Sequence, residues 1–335
     1  MRTAPLLALP LTAALLAACG SDGSTAATGS ATAGGEDRLQ VVTALYPYQW
    51  VLERVGGDAV EVRNLVPPGA EPHDLELSPQ SVAAVSEADL VVYSRGFTPA
   101  LDETVDQQAA DRAVDVLDLV EVRTYGEGPH AEEEAHAGED EHGHEDEAHA
   151  DEDGAAHGEE GHDHGGEDPH VWLDPARLTT IASSLADALA ERAPDQAEGF
   201  RTRADEVAAD LRSLDADYRE GLATCERQDV VTSHDAFGYL TDRYGLQQLA
   251  VSGLSPEEEP SPRRLAEVAE TARERGVTTI FFEELVSPRV AESLAREVGA
   301  TAEVLSPLEG GPEDGDYLTA MRTNLDALRT ALGCA

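Results

Sequence analysis

Apolar side chains at Phe200, Ala204, Val207, Leu211, Leu214 and Tyr218 recur every three or four residues, the period that an α-helix turns to one side. Pro194-Asp195 opens the pattern, which predicts one continuous amphipathic helix of about 28 residues, roughly 42 Å long at 1.5 Å per residue. Between two domains a helix of that length acts as a strut and limits hinge bending. The chain therefore divides into an N-terminal lobe over residues 38–193, a linking helix over 194–222 and a C-terminal lobe over 223–335.

The two flanks of the strut share a rhythm. Residues 39–45 alternate as a strand does and give way to an amphipathic stretch, 49–55, that ends at Gly56-Gly57. A second strand, 59–66, stops at Pro67-Pro68-Gly69. Ser78 then caps a helix with Pro79 at its first position, running to about Ala88, and 90–93 is a buried strand. Asp174-Pro175 caps a helix to about Arg192. Beyond the strut come strands at 229–232, 246–251, 277–282 and 301–305, with helices at 236–244, 262–275 and 288–298 between them. Alternating strands and helices imply parallel sheets covered by helices. The expected fold is α/β: two lobes, each a mainly parallel sheet flanked by helices, joined by the long backbone helix.

A net charge of −44 and the absence of any lysine argue against nucleic acid as a partner, since phosphate recognition needs basic clusters. Cations are the natural partners of such a field. At the N-terminus, Arg2 and the apolar run 5–18 read as a signal peptide over residues 1–18, too short to span a bilayer permanently. Leu16-Ala17-Ala18-Cys19 resembles the bacterial lipobox, which would lipidate Cys19; an unlipidated signal peptide containing a cysteine is the alternative. Residues 19–37, rich in Gly, Ser, Ala and Thr, suit a flexible tether. Cys225 and Cys334 remain, and an oxidising compartment favours a disulfide between them over two free thiols.

Of eleven histidines, eight fall in one acidic stretch: His130, His136, His142, His144, His149, His157, His162 and His164. The other three sit in separate motifs, Glu71-Pro72-His73, Asp168-Pro169-His170-Val171-Trp172 and Ser233-His234-Asp235. Neutral imidazole is the commonest metal ligand. His73 follows a strand and a Pro-Pro-Gly turn, His234 follows a strand directly, and His170 precedes a capped helix. Loops at the carboxyl ends of parallel strands line ligand crevices, so the three can converge between lobes.

With the lipobox, these motifs in this order, extended to Leu173-Asp174-Pro175 and to Ala236-Phe237-Gly238-Tyr239, resemble the metal-specific solute-binding lipoproteins of ABC transporters, the zinc branch above all. The resemblance runs from about Arg38 to the C-terminus, interrupted by the charged insertion. It implies a monomer that binds one divalent ion between two α/β lobes, anchored by Cys19 to the outer face of the cytoplasmic membrane, with a membrane ABC permease and its ATPase as partners. It implies His73, His170 and His234 as ligands, with a carboxylate from Leu308-Glu309-Gly310. Some relatives carry an aspartate a few residues earlier, where this chain has Ser306. Glu283 and Glu284, ending the 277–282 strand, are alternatives to Glu309 or partners that support a ligand from behind, and Glu71 is a further neighbour able to support or replace a ligand. Three imidazoles and a carboxylate suit four-coordinate Zn(II). Manganese prefers more oxygen donors, while copper(II) and nickel(II) accept the same set.

Residues 127–168 hold eighteen acidic side chains and the eight histidines, with no Arg. So little apolar surface cannot offset the entropy of ordering, and a tract without fixed structure is expected. Its reading is a weak zinc collector beside the cleft; a merely tolerated solvated loop is the alternative. Two further function classes stay open. A zinc hydrolase would use three histidines to activate water, though no HExxH motif is present. An adhesin or structural lipoprotein would leave the histidines incidental.

Overall fold

The computed structural model describes residues 38–124, 166–257 and 259–335. The signal peptide, the tether with Cys19 and the eight clustered histidines lie outside the described residues. The first lobe forms β1 (Leu39–Thr43), α1 (Tyr46–Gly56), β2 (Val60–Asn64), α2 (Pro79–Glu87), β3 (Leu90–Tyr93), α3 (Pro99–Gln108), β4 (Ala113–Asp115) and α4 (Pro175–Arg192). The strut is α5 (Ala197–Gly221). The second lobe follows as β5 (Asp229–Thr232), α6 (Gly238–Tyr244), β6 (Gln247–Ala250), α7 (Pro262–Glu274), β7 (Thr279–Phe282), α8 (Arg289–Val298), β8 (Thr301–Val304) and α9 (Tyr317–Leu332).

Each lobe is a four-stranded sheet, ordered β2-β1-β3-β4 and β6-β5-β7-β8, with every pairing parallel. Both orders reverse direction beside the first strand, and such switch points open a crevice at the carboxyl ends of the strands. Consecutive strand residues feed different cores, as a period of two requires. On β1, Val41 enters the core shared with the strut, while Val42 packs with Val85, Leu101 and Val105 under α2 and α3. On β5, Val230 joins the shared core and Val231 the one formed with α7 and α8.

The strut buries Phe200, Ala204, Val207, Ala208, Leu211, Leu214 and Tyr218, all six residues of the sequence pattern among them. It packs on α1 and α4 of the first lobe and on α9 of the second, so one helix braces both. Its first turn departs from expectation: Pro194–Gln196 is a separate 3-10 turn and the α-helix itself has 25 residues. Caps lie where the sequence placed them. Ser78 Oγ accepts from Ser81 N at 3.1 Å and Asp174 Oδ1 from Ala176 N at 2.8 Å. Helices α3 and α9 and strand β4 are additions to the sequence reading. Cys225 and Cys334 are joined in a disulfide that ties the segment after the strut to the end of α9.

The acidic tract was expected to lack structure through Asp168, but residues 166–168 are ordered. Glu167 pairs with Thr124 in an antiparallel bridge and accepts from Arg95, and Asp168 N donates to Arg123 O at 2.9 Å. Paired carboxylates at its end give the tract a folded base.

Candidate metal centre

Four loops at the carboxyl ends of strands converge. His73 follows β2, in a loop where Glu71 Oε1 accepts from His73 N at 3.0 Å and Thr98 Oγ1 donates to Pro72 O at 3.0 Å. Its ring lies 4.0 Å from that of Phe97. His170 comes from the segment beyond β4, where Asp168 Oδ1 takes both the backbone N and Nδ1 of His170, at 3.0 and 2.9 Å. His234 follows β5, its carbonyl held by Thr232 Oγ1 and Gln248 Nε2 at 2.7 and 3.1 Å. Its Nδ1 lies 2.5 Å from Glu283 Oε1, and Ser233 Oγ donates to the same oxygen.

Glu309 arrives on the loop after β8, which is fixed from both lobes. Asn324 clasps Ser306 through N–H and C=O at 3.0 and 2.7 Å, Trp172 Nε1 donates to Pro307 O at 2.7 Å, and Tyr46 N donates to Glu309 O at 3.2 Å. Leu308, buried, holds φ at +61°, a left-handed conformation that costs a non-glycine residue of order 1–3 kcal/mol. Strain next to the Glu309 carboxylate is sustained here by those flanking contacts.

The geometry at the centre is tight. One nitrogen from each of His73, His170 and His234 and a carboxylate oxygen of Glu309 lie within 4.8 Å of one another. Each imidazole Nε2 faces Glu309 Oε1, at 3.4 Å for His73 and 3.5 Å for His170 and His234. Ligands held about 2.0–2.1 Å from a tetrahedral zinc stand about 3.3–3.4 Å apart, so the set is spaced for one such ion. All three Nε2 atoms and both Glu309 oxygens are buried without a hydrogen-bond partner. Buried polar groups are almost always paired, and three orphaned imidazole nitrogens gathered around an orphaned carboxylate fit a metal ion.

The charge on Glu309 agrees with that use, while His234 would have to give up a proton to a metal. Burial opposes ionisation of Glu309, yet the surrounding imidazoles of His73, His170 and His234 hold its carboxyl well below the usual range. Glu71 is pushed the other way, up to about 8, by burial and by the Glu309 charge. Burial alone would depress His234, but Glu283 and then Glu309 raise it well above the ordinary imidazole value. Of the carboxylates left open by the sequence, Glu283 is buried but occupied by His234 Nδ1 and Ser233, Glu284 is exposed, and Glu71 gives Oε1 to the backbone of His73 while its Oε2 is buried without a partner. Glu283 thus orients an imidazole, the supporting role that the sequence left open for it beside that of a ligand.

Residues 41–331 match the family described as ZnuA, zinc-uptake complex component A, periplasmic. The chain belongs to this family. ZnuA-family relatives include the high-affinity zinc uptake system protein ZnuA of Bacillus subtilis, 36% identical over 95% of this chain and 94% of its own. The zinc-binding lipoprotein AdcA of Streptococcus pneumoniae is 34% identical over 98% of this chain, which spans only 61% of that longer relative. Among solved structures, Zn(II)-bound AdcA of Streptococcus pneumoniae aligns with a TM-score of 0.67 at 32% identity, over 88% of this chain and 58% of that one. A laminin-binding adhesin (Lmb) from Streptococcus agalactiae aligns at 0.72 and 30% identity, over 88% and 99%.

Proposed function

We propose that the protein captures Zn(II) between its lobes through His73, His170, His234 and Glu309, outside the cytoplasmic membrane, and delivers it to an ABC permease and its ATPase for uptake. The observation that carries this reading is the set of four buried, unpartnered donor atoms, three imidazole Nε2 and Glu309 Oε1, gathered within reach of one ion. Three nitrogens and one oxygen favour four-coordinate zinc over manganese, which wants more oxygen. With Glu309 as fourth ligand no coordination position is kept for water, so the centre is a receptor site and not a hydrolase. Lipidation at Cys19 and a monomeric state belong to the same proposal. Zinc titration of the wild type against His234→Ala and Glu309→Ala tests it: both variants should lose the tight site, and wild-type binding by both would overturn the assignment.

A further inference from the structure

Arg123 lies outside every motif of the sequence, yet it joins a zinc ligand's support to the opposite lobe. Its Nη1 donates to Asp168 Oδ2 at 2.9 Å while the other oxygen of the same carboxylate holds His170. Its Nε donates to Asp242 Oδ2 on α6 at 2.7 Å, and its guanidinium lies 5.6 Å from the centroid of the Tyr239 ring. Tyr239, also on α6, accepts from Arg123 N at 2.9 Å and donates to Asp168 O at 2.7 Å. Asp168 is 1% exposed, so its charge has few other ways of being compensated. Gly238 completes the arrangement. A Cβ there would meet Arg123 Nη1 at 1.4 Å, and its three nearest atoms would all be from that guanidinium.

We infer that Arg123 is a positioning residue that makes the orientation of His170 depend on apposition of the two lobes, acting through Asp168. The inference rests on the zinc-site reading above. Asp168 fixes which His170 nitrogen carries the proton and where Nε2 points, and outer partners of this kind are worth 10–100-fold in metal affinity. When α6 moves away, Arg123 loses Asp242 and Tyr239 together and holds Asp168 alone, which loosens His170. Lobe separation and ligand release are then one event.

The experiment measures Zn(II) affinity against a competing chelator, Zn(II) release rate, and the visible spectrum of the Co(II) form, in full-length Arg123→Met, Arg123→Lys and Gly238→Ala. Arg123→Met and Gly238→Ala should each bind zinc ~10-fold more weakly, release it faster and shift the cobalt band. Arg123→Lys, which keeps the charge but not the fork, should fall between them and the wild type. Gly238→Ala decides alone if Arg123→Met does not fold, because it displaces only the far end of a flexible side chain. Affinities within twofold of wild type and an unchanged cobalt band, with lowered thermal stability, would make Arg123 a simple brace and overturn the inference. Unchanged zinc binding by His170→Ala, run alongside, would instead remove the zinc-site reading and this inference with it.

Discussion

Replacing Cys225 and Cys334 together by serine separates stability from binding. The disulfide closes a loop of 109 residues, and the chain-entropy relation gives about 5 kcal/mol of unfolded-state constraint for that length. Native disulfides typically deliver about 2–5 kcal/mol. For a folded body of roughly 250 residues, 1 kcal/mol moves the melting temperature by about 2 °C, so the double variant should melt about 4–10 °C lower by calorimetry. Zinc affinity should not change. Cys225 precedes β5 at its amino end while His234 leaves the carboxyl end, and a four-residue strand puts about 13 Å between those ends. A melting shift under about 2 °C would refute the constraint argument. A normal melting temperature with weakened zinc binding would refute the claim that the two ends of β5 are independent.

Other perturbations act on the centre itself. Glu283→Gln keeps shape but removes the charge that orients His234, and chelator competition should show zinc affinity reduced at least 10-fold; a change below twofold would count against that role. Glu283 raises the His234 value in the metal-free protein, so the protonated form contributes stability below the ordinary imidazole range that is lost as pH rises through the elevated value. Zinc needs the bare Nε2, so binding at neutral pH should release a proton, and affinity should fall as pH falls. Calorimetry in buffers of different ionisation enthalpy measures that release, and zero protons would contradict it. Exchanging residues 128–164 for a short Gly-Ser linker should remove weak extra zinc equivalents and retain one tight site; loss of the tight site would make the tract itself the receptor.

Parts of this molecule were legible because local chemistry dictated them. The strut announced itself through apolar spacing, and Ser78-Pro79 and Asp174-Pro175 through cap-plus-proline chemistry that the structure reproduces. Helix α3 escaped because it buries only Leu101 and Val105 amid Asp102, Glu103 and Asp106. Helix α9 was readable: Tyr317, Met321, Leu325, Leu328 and Leu332 keep the helical period between an Asp316 cap and Gly333, whose φ is +67°. The motifs brought His73, His170 and His234 forward as candidates. No local pattern distinguishes Glu283 from Glu284, because which of two adjacent acids at a strand end turns inward is settled by the sheet. Arg123 was invisible for the same reason, its partners lying 45 and 119 residues away.

The Thr124–Glu167 bridge zips together the two ends of the charged insertion immediately before His170. Loop-closure entropy grows only logarithmically with length, and the bridge with the Asp168 N to Arg123 O bond fixes where the two ends meet. The insertion can therefore lengthen, shorten or change its count of imidazoles across generations without the fold having to be solved again. In that sense the stem is a docking port: the proposed metal collector can vary on its far side while the proposed centre on the near side keeps its footing.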